Sequence, residues 1–261
     1  MATLGVTSSI ARMGTVEPFD LQVSRGQISG HSTLSLFGYQ SAVGNTKIPV
    51  WENATVYTYI TSASTLTLVS SSASDDTLAS VLISGLDSSF SPISETLALN
   101  GTSGVTTVNS YFRVNSMTLT TPGTSQTTNV GTITLKQSSN VIAQINVGIS
   151  KTQMSIYTVP AGYSFYLDLA EVNTSNSYTS SNIITYSVQA INNNNGVKLN
   201  VLQQPFVAIY LANRSTDPFI YAEKTDIQWQ LVTSTATTVS AGLIIAGKLI
   251  KNYITGTSGG I

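Results

Sequence analysis

The sequence predicts an all-β protein with two antiparallel β-sandwich domains, the C-terminal one jelly-roll-like, and an extended N-terminal arm. Alternation of apolar and polar residues with a period of two recurs at about ten-residue spacing, and polar turns separate these segments. Ser and Thr make up roughly a quarter of the chain, which favours strands over helices. No segment keeps a 3.6-residue apolar period over three helical turns.

The clearest local pattern covers residues 153–172. Before a central turn, Ile156 alternates with Tyr157, and after it Phe165 and Leu167 lie on one face of a second strand. Pro160 and Gly162 provide turn chemistry between the two strands, because proline restricts φ and glycine tolerates positive φ. We therefore predict a central hairpin in the C-terminal domain.

Residues 1–31 are predicted to form the arm. Phe19, Leu21 and Val23 alternate with polar residues and predict one short strand that has no hairpin partner in sequence. Such a strand pairs either within its own domain or with the sheet edge of a neighbouring subunit. The candidate interface arm consists of Phe19, Leu21, Val23 and Arg25, within a predicted contact segment of residues 16–27.

The two predicted sandwich domains cover residues 32–121 and 131–253. Residues 120–131 are the linker candidate, because they contain Pro122 and Gly123 and no large apolar residue. Within the second domain, the segment INNNNG is predicted to be a turn, with Asn-Gly as its strongest signal. Eight strands in this half suit a jelly roll, and the final TGTSGGI is predicted to be a loose tail.

Composition excludes several classes of function. Charged residues make up 9% of the chain, against the ~25% of an ordinary domain, and the net charge is −1, which argues against binding to a phosphate backbone. There is no cysteine, so disulfides, thiol nucleophiles and Cys-ligated metals are excluded. The opening residues do not resemble a signal peptide, and no apolar run approaches the ~20 residues of a membrane span. We expect a cytoplasmically made protein that binds neither membrane nor nucleic acid.

No catalytic, metal or cofactor site is predicted. His31 is the only histidine and lies in the arm, so we interpret it as a surface or interface residue. Asp75 and Asp76 lack the spacing of a calcium loop and are interpreted as a solvated turn. Glu95 and Asp168 lie on predicted strands without the specific pairing that a glycosidase needs.

Tyrosines are concentrated in the second half of the chain. Exposed tyrosine clusters bind sugars or partner proteins, whereas tyrosines within strands more often belong to the core or to cross-strand pairs. We favour the second interpretation for Tyr157, Tyr163, Tyr166, Tyr178 and Tyr186.

Four blocks carry a family likeness: RGQISGHSTLSLFGYQ, ISGLDSSFSPISETLALNGTSGVTTVNSYFRVNSMTL, YTVPAGYSFYLDLAEV and EKTDIQWQLV. The chain resembles, over residues 25–252, a group of virion proteins of tailed bacteriophages common among marine and cyanobacterial phages. The resemblance implies a structural component of the particle without an assigned reaction. It provides no catalytic residue and leaves the position on head or tail open.

The resulting hypothesis is a non-enzymatic virion structural protein, made in the host cytoplasm, that decorates or cements the capsid shell. Its expected partners are the major capsid protein or other virion proteins, together with copies of itself in a homo-oligomer, ranked first as a homotrimer. One alternative is a tail or neck component with a face that binds host glycans. A second alternative is a tail glycan hydrolase, which would differ by turnover of host polysaccharide.

Overall fold

The computed structural model describes residues 17–175, 183–206, 210–234 and 239–252. Strands make up 57% of the chain and pair into several small antiparallel sheets with almost no helix, which confirms the all-β prediction. In the first half, a short helix precedes nine strands: α1 (Phe19–Ser24), β1 (His31–Val43), β2 (Ile48–Pro49), β3 (Thr67–Ser70), β4 (Ser80–Leu86), β5 (Pro92–Ala98), β6 (Val105–Thr106), β7 (Arg113–Thr121), β8 (Ile133–Gln137) and β9 (Asn140–Ile145). The second half contains β10 (Ile156–Thr158), β11 (Tyr163–Thr174), β12 (Ile184–Asn192), β13 (Lys198–Phe206), β14 (Tyr210–Tyr221), β15 (Thr225–Thr233) and β16 (Val239–Lys251).

Two of the four sheets share one apolar core. The first has the strand order β1-β16-β11-β14, and the second has the order β10-β15-β12-β13, with β2 added against β15. Phe165 and Trp229 approach edge to face between these sheets, with ring centroids 6.5 Å apart, and both side chains are fully buried. This core draws its buried residues from 43–50 and 157–245.

The other two sheets share a second core. Their strand orders are β6-β3-β8-β9 and β5-β4-β7. The buried residues of this core all come from positions 51–156, and Leu68, Ile83 and Tyr111 are among its fully enclosed side chains. An isolated bridge between Trp51 and Met154 lies where the chain enters and leaves this part of the structure. The second core is therefore an insertion between β2 and β10.

The strand pairing does not follow the predicted division near residues 120–131. β1, from the first predicted domain, pairs with β16 at the other end of the chain, and β8, from the second, pairs with β3 in the first. The physical reason is that β3, β8 and β16 are more buried on one face than on the other, so their alternation marks the buried face but not the strand that pairs with it.

The predicted hairpin at residues 153–172 is wrong in its pairing. Pro160 and Gly162, at φ 75°, do form a turn, but β10 pairs with β15 while β11 pairs with β14 and β16. The turn is therefore a corner that carries the chain from one sheet to the other. Tyr157 and Phe165 face each other across the core, with ring centroids 6.0 Å apart, and this packing produces the alternation that a hairpin would also show.

The predicted strand at Phe19, Leu21 and Val23 is also wrong, because this segment is the helix α1. The carbonyl of Pro18 accepts bonds from the N–H groups of Leu21 and Gln22, and Gly26, at φ 69°, follows its last turn. Over only six residues, the apolar spacing of a short helix resembles that of a short strand, so the sequence pattern does not distinguish the two.

The predicted turn at INNNNG is confirmed. β12 and β13 form an antiparallel hairpin around it, and the N–H of Gly196 donates to the carbonyl of Asn192 at 2.7 Å. The first sixteen residues of the predicted arm, Tyr178 and the predicted TGTSGGI tail lie outside the described residues.

Candidate functional site

The helix α1 lies on the outer face of the β1-β16-β11-β14 sheet. The Phe19 ring meets the His31 ring edge to face at 5.8 Å, and Asp20 approaches the Lys248 ammonium at 3.0 Å. Lys248 also contacts Asp168 on β11 at 2.5 Å. Burial lowers the pKa of Lys248, but its hydrogen bonds to Asp168 and Asp20 outweigh this and raise it. The helix is thus anchored to its own subunit by charge and by ring packing.

The four residues of the candidate interface arm divide into exposed and anchoring groups. Phe19 and Leu21 are 49% and 46% exposed, whereas Val23 is 2% exposed and holds the helix against the fold. Arg25 is exposed and pairs with Glu17 at 2.5 Å. Phe19, Leu21 and Val23 lie on the helix and Arg25 follows its last residue, and their interface role stays a prediction.

Beyond α1, the outer face of this sheet is rich in apolar side chains. Cross-strand neighbours point the same way in an antiparallel ladder, so Phe37, Ile244 and Glu171 form one row across three strands. Tyr39 and Ile220 are exposed on the same face, on its two edge strands. Such a lightly charged, partly apolar sheet face is suited to contact with another protein.

A buried ion pair joins the two cores. The guanidinium of Arg113, on β7, donates two bonds of 2.8 Å to the two carboxylate oxygens of Asp226, on β15. Asp226 also accepts a 2.6 Å bond from the Thr158 hydroxyl. The Arg113 guanidinium lies 4.0 Å from the centroid of the Phe112 ring and 4.7 Å from that of Tyr59. Burial raises the pKa of the Tyr59 hydroxyl well above its ordinary value. This ion pair connects the two sheet pairs.

Two buried carboxylates accept hydrogen bonds that connect separate loops. Asp75 is fully buried and accepts bonds from the Ser70 hydroxyl and from the N–H groups of Val130 and Gly131, so the solvated-turn interpretation is wrong for this residue. Asp76, its neighbour, is half-buried, and its carboxylate accepts a bond from the N–H of Leu78.

Glu52 is the second buried carboxylate that connects loops. It accepts bonds from the N–H groups of Asn146 and Gln153, at 3.2 and 3.3 Å. Burial raises the pKa of Glu52 from 4.5 to about 7, although these two backbone bonds lower it. Glu52 and the Arg113–Asp226 pair are functional groups that the sequence did not single out. The available signal was a charged residue beside a large apolar side chain in each case, namely Trp51, Phe112 and Ile227.

The remaining sequence candidates are engaged in structural contacts. Glu95 accepts bonds from the N–H groups of Val108 and Asn109, and Asp168 is paired with Lys248. The structure does not bring them together as a carboxylate pair. His31 contacts Phe19 and the carbonyl of Ser29 at the surface.

The tyrosine interpretation is confirmed for the two residues that are buried, Tyr157 and Tyr186. Burial raises the pKa of both hydroxyls above the ordinary range. Tyr163 and Tyr166 are half-buried on β11. Tyr163 packs against the core that contains Phe165, and Tyr166 lies opposite Lys248 on the outer face of the sheet.

Within the described ranges, no group of three or more His, Cys, Asp or Glu residues is placed to hold a metal ion. No helix in this part of the chain has the length and hydropathy to cross a lipid bilayer.

Comparison with known proteins finds only weak structural similarity. No protein-family model and no curated protein matches the chain. Among solved structures, the VP2 subviral particle of infectious bursal disease virus is similar at a TM-score of 0.20 with 11% identity, covering 86% of this chain and 77% of that chain. A structure of the Gx strain of the same virus is similar at a TM-score of 0.21 with 11% identity, covering 87% and 77%.

Proposed function

We propose that this chain is a non-enzymatic structural protein of a bacteriophage virion that decorates or cements the outer capsid shell. The observation that carries the proposal is the outer face of the β1-β16-β11-β14 sheet, where Tyr39, Phe37 and Ile220 are exposed on a lightly charged surface. The sequence resemblance to tailed-phage virion proteins supports the same role.

The proposed mechanism is noncovalent burial of this face against the major capsid protein or another virion protein. A specific interface buries roughly 1,200 to 2,000 Å² in total, and a sheet of four strands offers a surface of that order. The exposed side of α1, with Phe19 and Leu21, extends the contact. The protein functions as a homo-oligomer, with a homotrimer ranked first by analogy with other jelly-roll virion proteins.

The proposal includes a jelly-roll fold for the part of the chain around the first core. Apart from the two-residue β2, eight strands lie four to a sheet around one core, which supports a jelly roll for residues 31–43 and 156–251 together. The protein is made in the host cytoplasm, is located in the virion, and needs neither cofactor, membrane nor nucleic acid.

The test is rebinding of the purified chain to particles that lack it, measured by cosedimentation. Tyr39→Asp combined with Ile220→Asp places two charges on the proposed contact face, and we expect binding to weaken about 100-fold. Val108→Asp combined with Leu78→Asp is the matched control, because these two exposed apolar residues lie on the insertion. The control variant should bind like the unaltered chain.

Equal binding by both double variants would overturn the proposed face. Location of the chain on the tail in an image of the whole particle would overturn the decoration role and favour the tail or neck alternative.

A further inference from the structure

The outward edge of β1 has free hydrogen-bonding groups. The N–H of Lys251 donates to the carbonyl of Gly30, so the even-numbered residues of β1 bond to β16 and the odd-numbered ones point away from it. The N–H of Tyr39, an odd-numbered residue, accordingly donates to the carbonyl of Gln153 instead. Among the described residues, the outward backbone groups of Thr33, Ser35 and Phe37 have no partner. This edge is therefore a template for another strand.

A cavity of about 220 Å³ lies beside this edge. Its apolar lining includes Leu34 and Leu36, from the inward face of β1, and Met154 and Tyr157, from the chain that returns from the insertion. A strand added along β1 would place alternate side chains into this cavity. The other side chains would lie beside Ser35 on the exposed face.

The chain carries a segment of matching pattern ahead of Glu17. Ala2, Leu4 and Val6 alternate with Thr3, Gly5 and Thr7, so one face of this segment is apolar and the other is small and polar. The segment carries no charged side chain. Sixteen residues precede Glu17, and at about 3.3 Å per residue they can span roughly 50 Å when extended, which is enough to reach a neighbouring copy.

We propose that residues 2–7 of one copy add as a strand to the free edge of β1 at Thr33–Phe37 in a second copy, with Leu4 and Val6 filling the cavity. Exchange of a terminal strand between copies forms backbone bonds and buries apolar side chains without remodelling either fold. The helix α1, anchored through Val23 and Asp20, holds the arm on its own subunit. This inference deepens the proposed homo-oligomer and rests on it.

The edge is tested by Ser35→Pro in the full chain. Proline removes an N–H that points away from β16, so the internal ladder stays intact while the added strand is blocked. Thr96→Pro is the matched control. Thr96 is an exposed residue on β5, an edge strand, and its N–H points away from β4, since Leu99 bonds to Ala79 in that ladder. Sedimentation velocity should show that Ser35→Pro lowers the oligomeric mass while Thr96→Pro does not.

The arm is tested by Leu4→Asp combined with Val6→Asp, two substitutions that precede the first described strand in sequence. We expect self-association to weaken about 100-fold. Thr3→Asp combined with Thr7→Asp, on the polar side of the segment, should associate like the unaltered chain. Urea unfolding of every variant separates a lost contact from a lost fold.

A Ser35→Pro variant that folds and keeps the full oligomeric mass would overturn the inference. So would a Leu4→Asp, Val6→Asp variant that keeps this mass, or an unaltered chain that is monomeric at all concentrations. A monomer that still binds particles would overturn the strand exchange and leave the proposed function standing. An oligomer that exchanges its arm but does not bind particles would overturn the proposed function and leave the strand exchange standing.

Discussion

Arg113 and Asp226 illustrate what a single residue can indicate before the fold is known. Each lies on a predicted strand, within YFRVN and TDIQWQL, and a charge on a strand must be paired when it is buried. The sequence alone does not say that these two residues are partners, because 113 positions separate them. Bidentate geometry and the Thr158 bond offset the cost of removing both charges from water.

Glu52 gives a pH dependence to the stability of the fold. Its pKa is 4.5 in the unfolded chain and about 7 in the folded one, so the folded state favours the protonated carboxyl. Its contribution is therefore fully present below pH 4.5 and is lost as pH rises to about 7. We expect the free energy of unfolding to fall by about 2 kcal/mol across this range for this reason.

The measurement is the urea midpoint of the unaltered chain and of Glu52→Gln at several pH values between 4 and 8. Glu52→Gln cannot titrate, so its stability should change less over this interval than that of the unaltered chain. Glu171→Gln, on the sheet surface, is the control and should keep the original pH profile. Parallel profiles for Glu52→Gln and the unaltered chain would contradict the assignment.

At the scale of elements, sequence patterns located most strands but not their partners. Alternation at Phe165 indicated the buried face of β11 correctly, whereas all three residues of β10 are buried. The hairpin was wrong because two strands that face each other across a core show the same alternation as two strands that pair side by side. The INNNNG turn was predictable because Gly196 requires positive φ within a two-strand connection.

Two glycines of β16 provide an element-scale prediction. A Cβ at Gly247 would lie 2.1 Å from the carbonyl oxygen of Tyr166 and 2.7 Å from the Phe165 ring, whereas a Cβ at Gly242 would meet nothing within 4 Å. We expect Gly247→Ala to lower the free energy of unfolding by about 3 kcal/mol, because β11 must shift. Gly242→Ala should change it by less than about 1 kcal/mol.

Urea unfolding of the two variants tests this comparison within one strand. Equal stability of Gly247→Ala and Gly242→Ala would mean that β11 does not approach β16 as closely as the structure shows.

At the scale of the whole molecule, the fold depends on contacts between residues that are distant in sequence. β1 and β16 pair near the two ends of the described chain, and the insertion begins and ends at the Trp51–Met154 bridge. Composition and alternation could predict an all-β protein, because these are properties of each segment. They could not predict the nesting of one sheet pair within another, because no local pattern encodes which strands of similar character will meet.

The nesting leads to a prediction about isolated fragments. Residues 51–154 include β3 to β9, both sheets of the insertion and nearly all of its core, and the two ends of this fragment are adjacent. Residues 32–121, the first domain predicted from the sequence, lack β16 as the partner of β1 and β8 as the partner of β3.

We expect the 51–154 fragment to unfold cooperatively in urea with a β-type circular dichroism spectrum, because a unit with its own core and neighbouring ends can fold alone. The 32–121 fragment should show no cooperative transition, since two of its strands would expose unpaired edges and apolar faces. The opposite result, a cooperative 32–121 fragment and a disordered 51–154 fragment, would place the boundary where the linker at residues 120–131 predicts it.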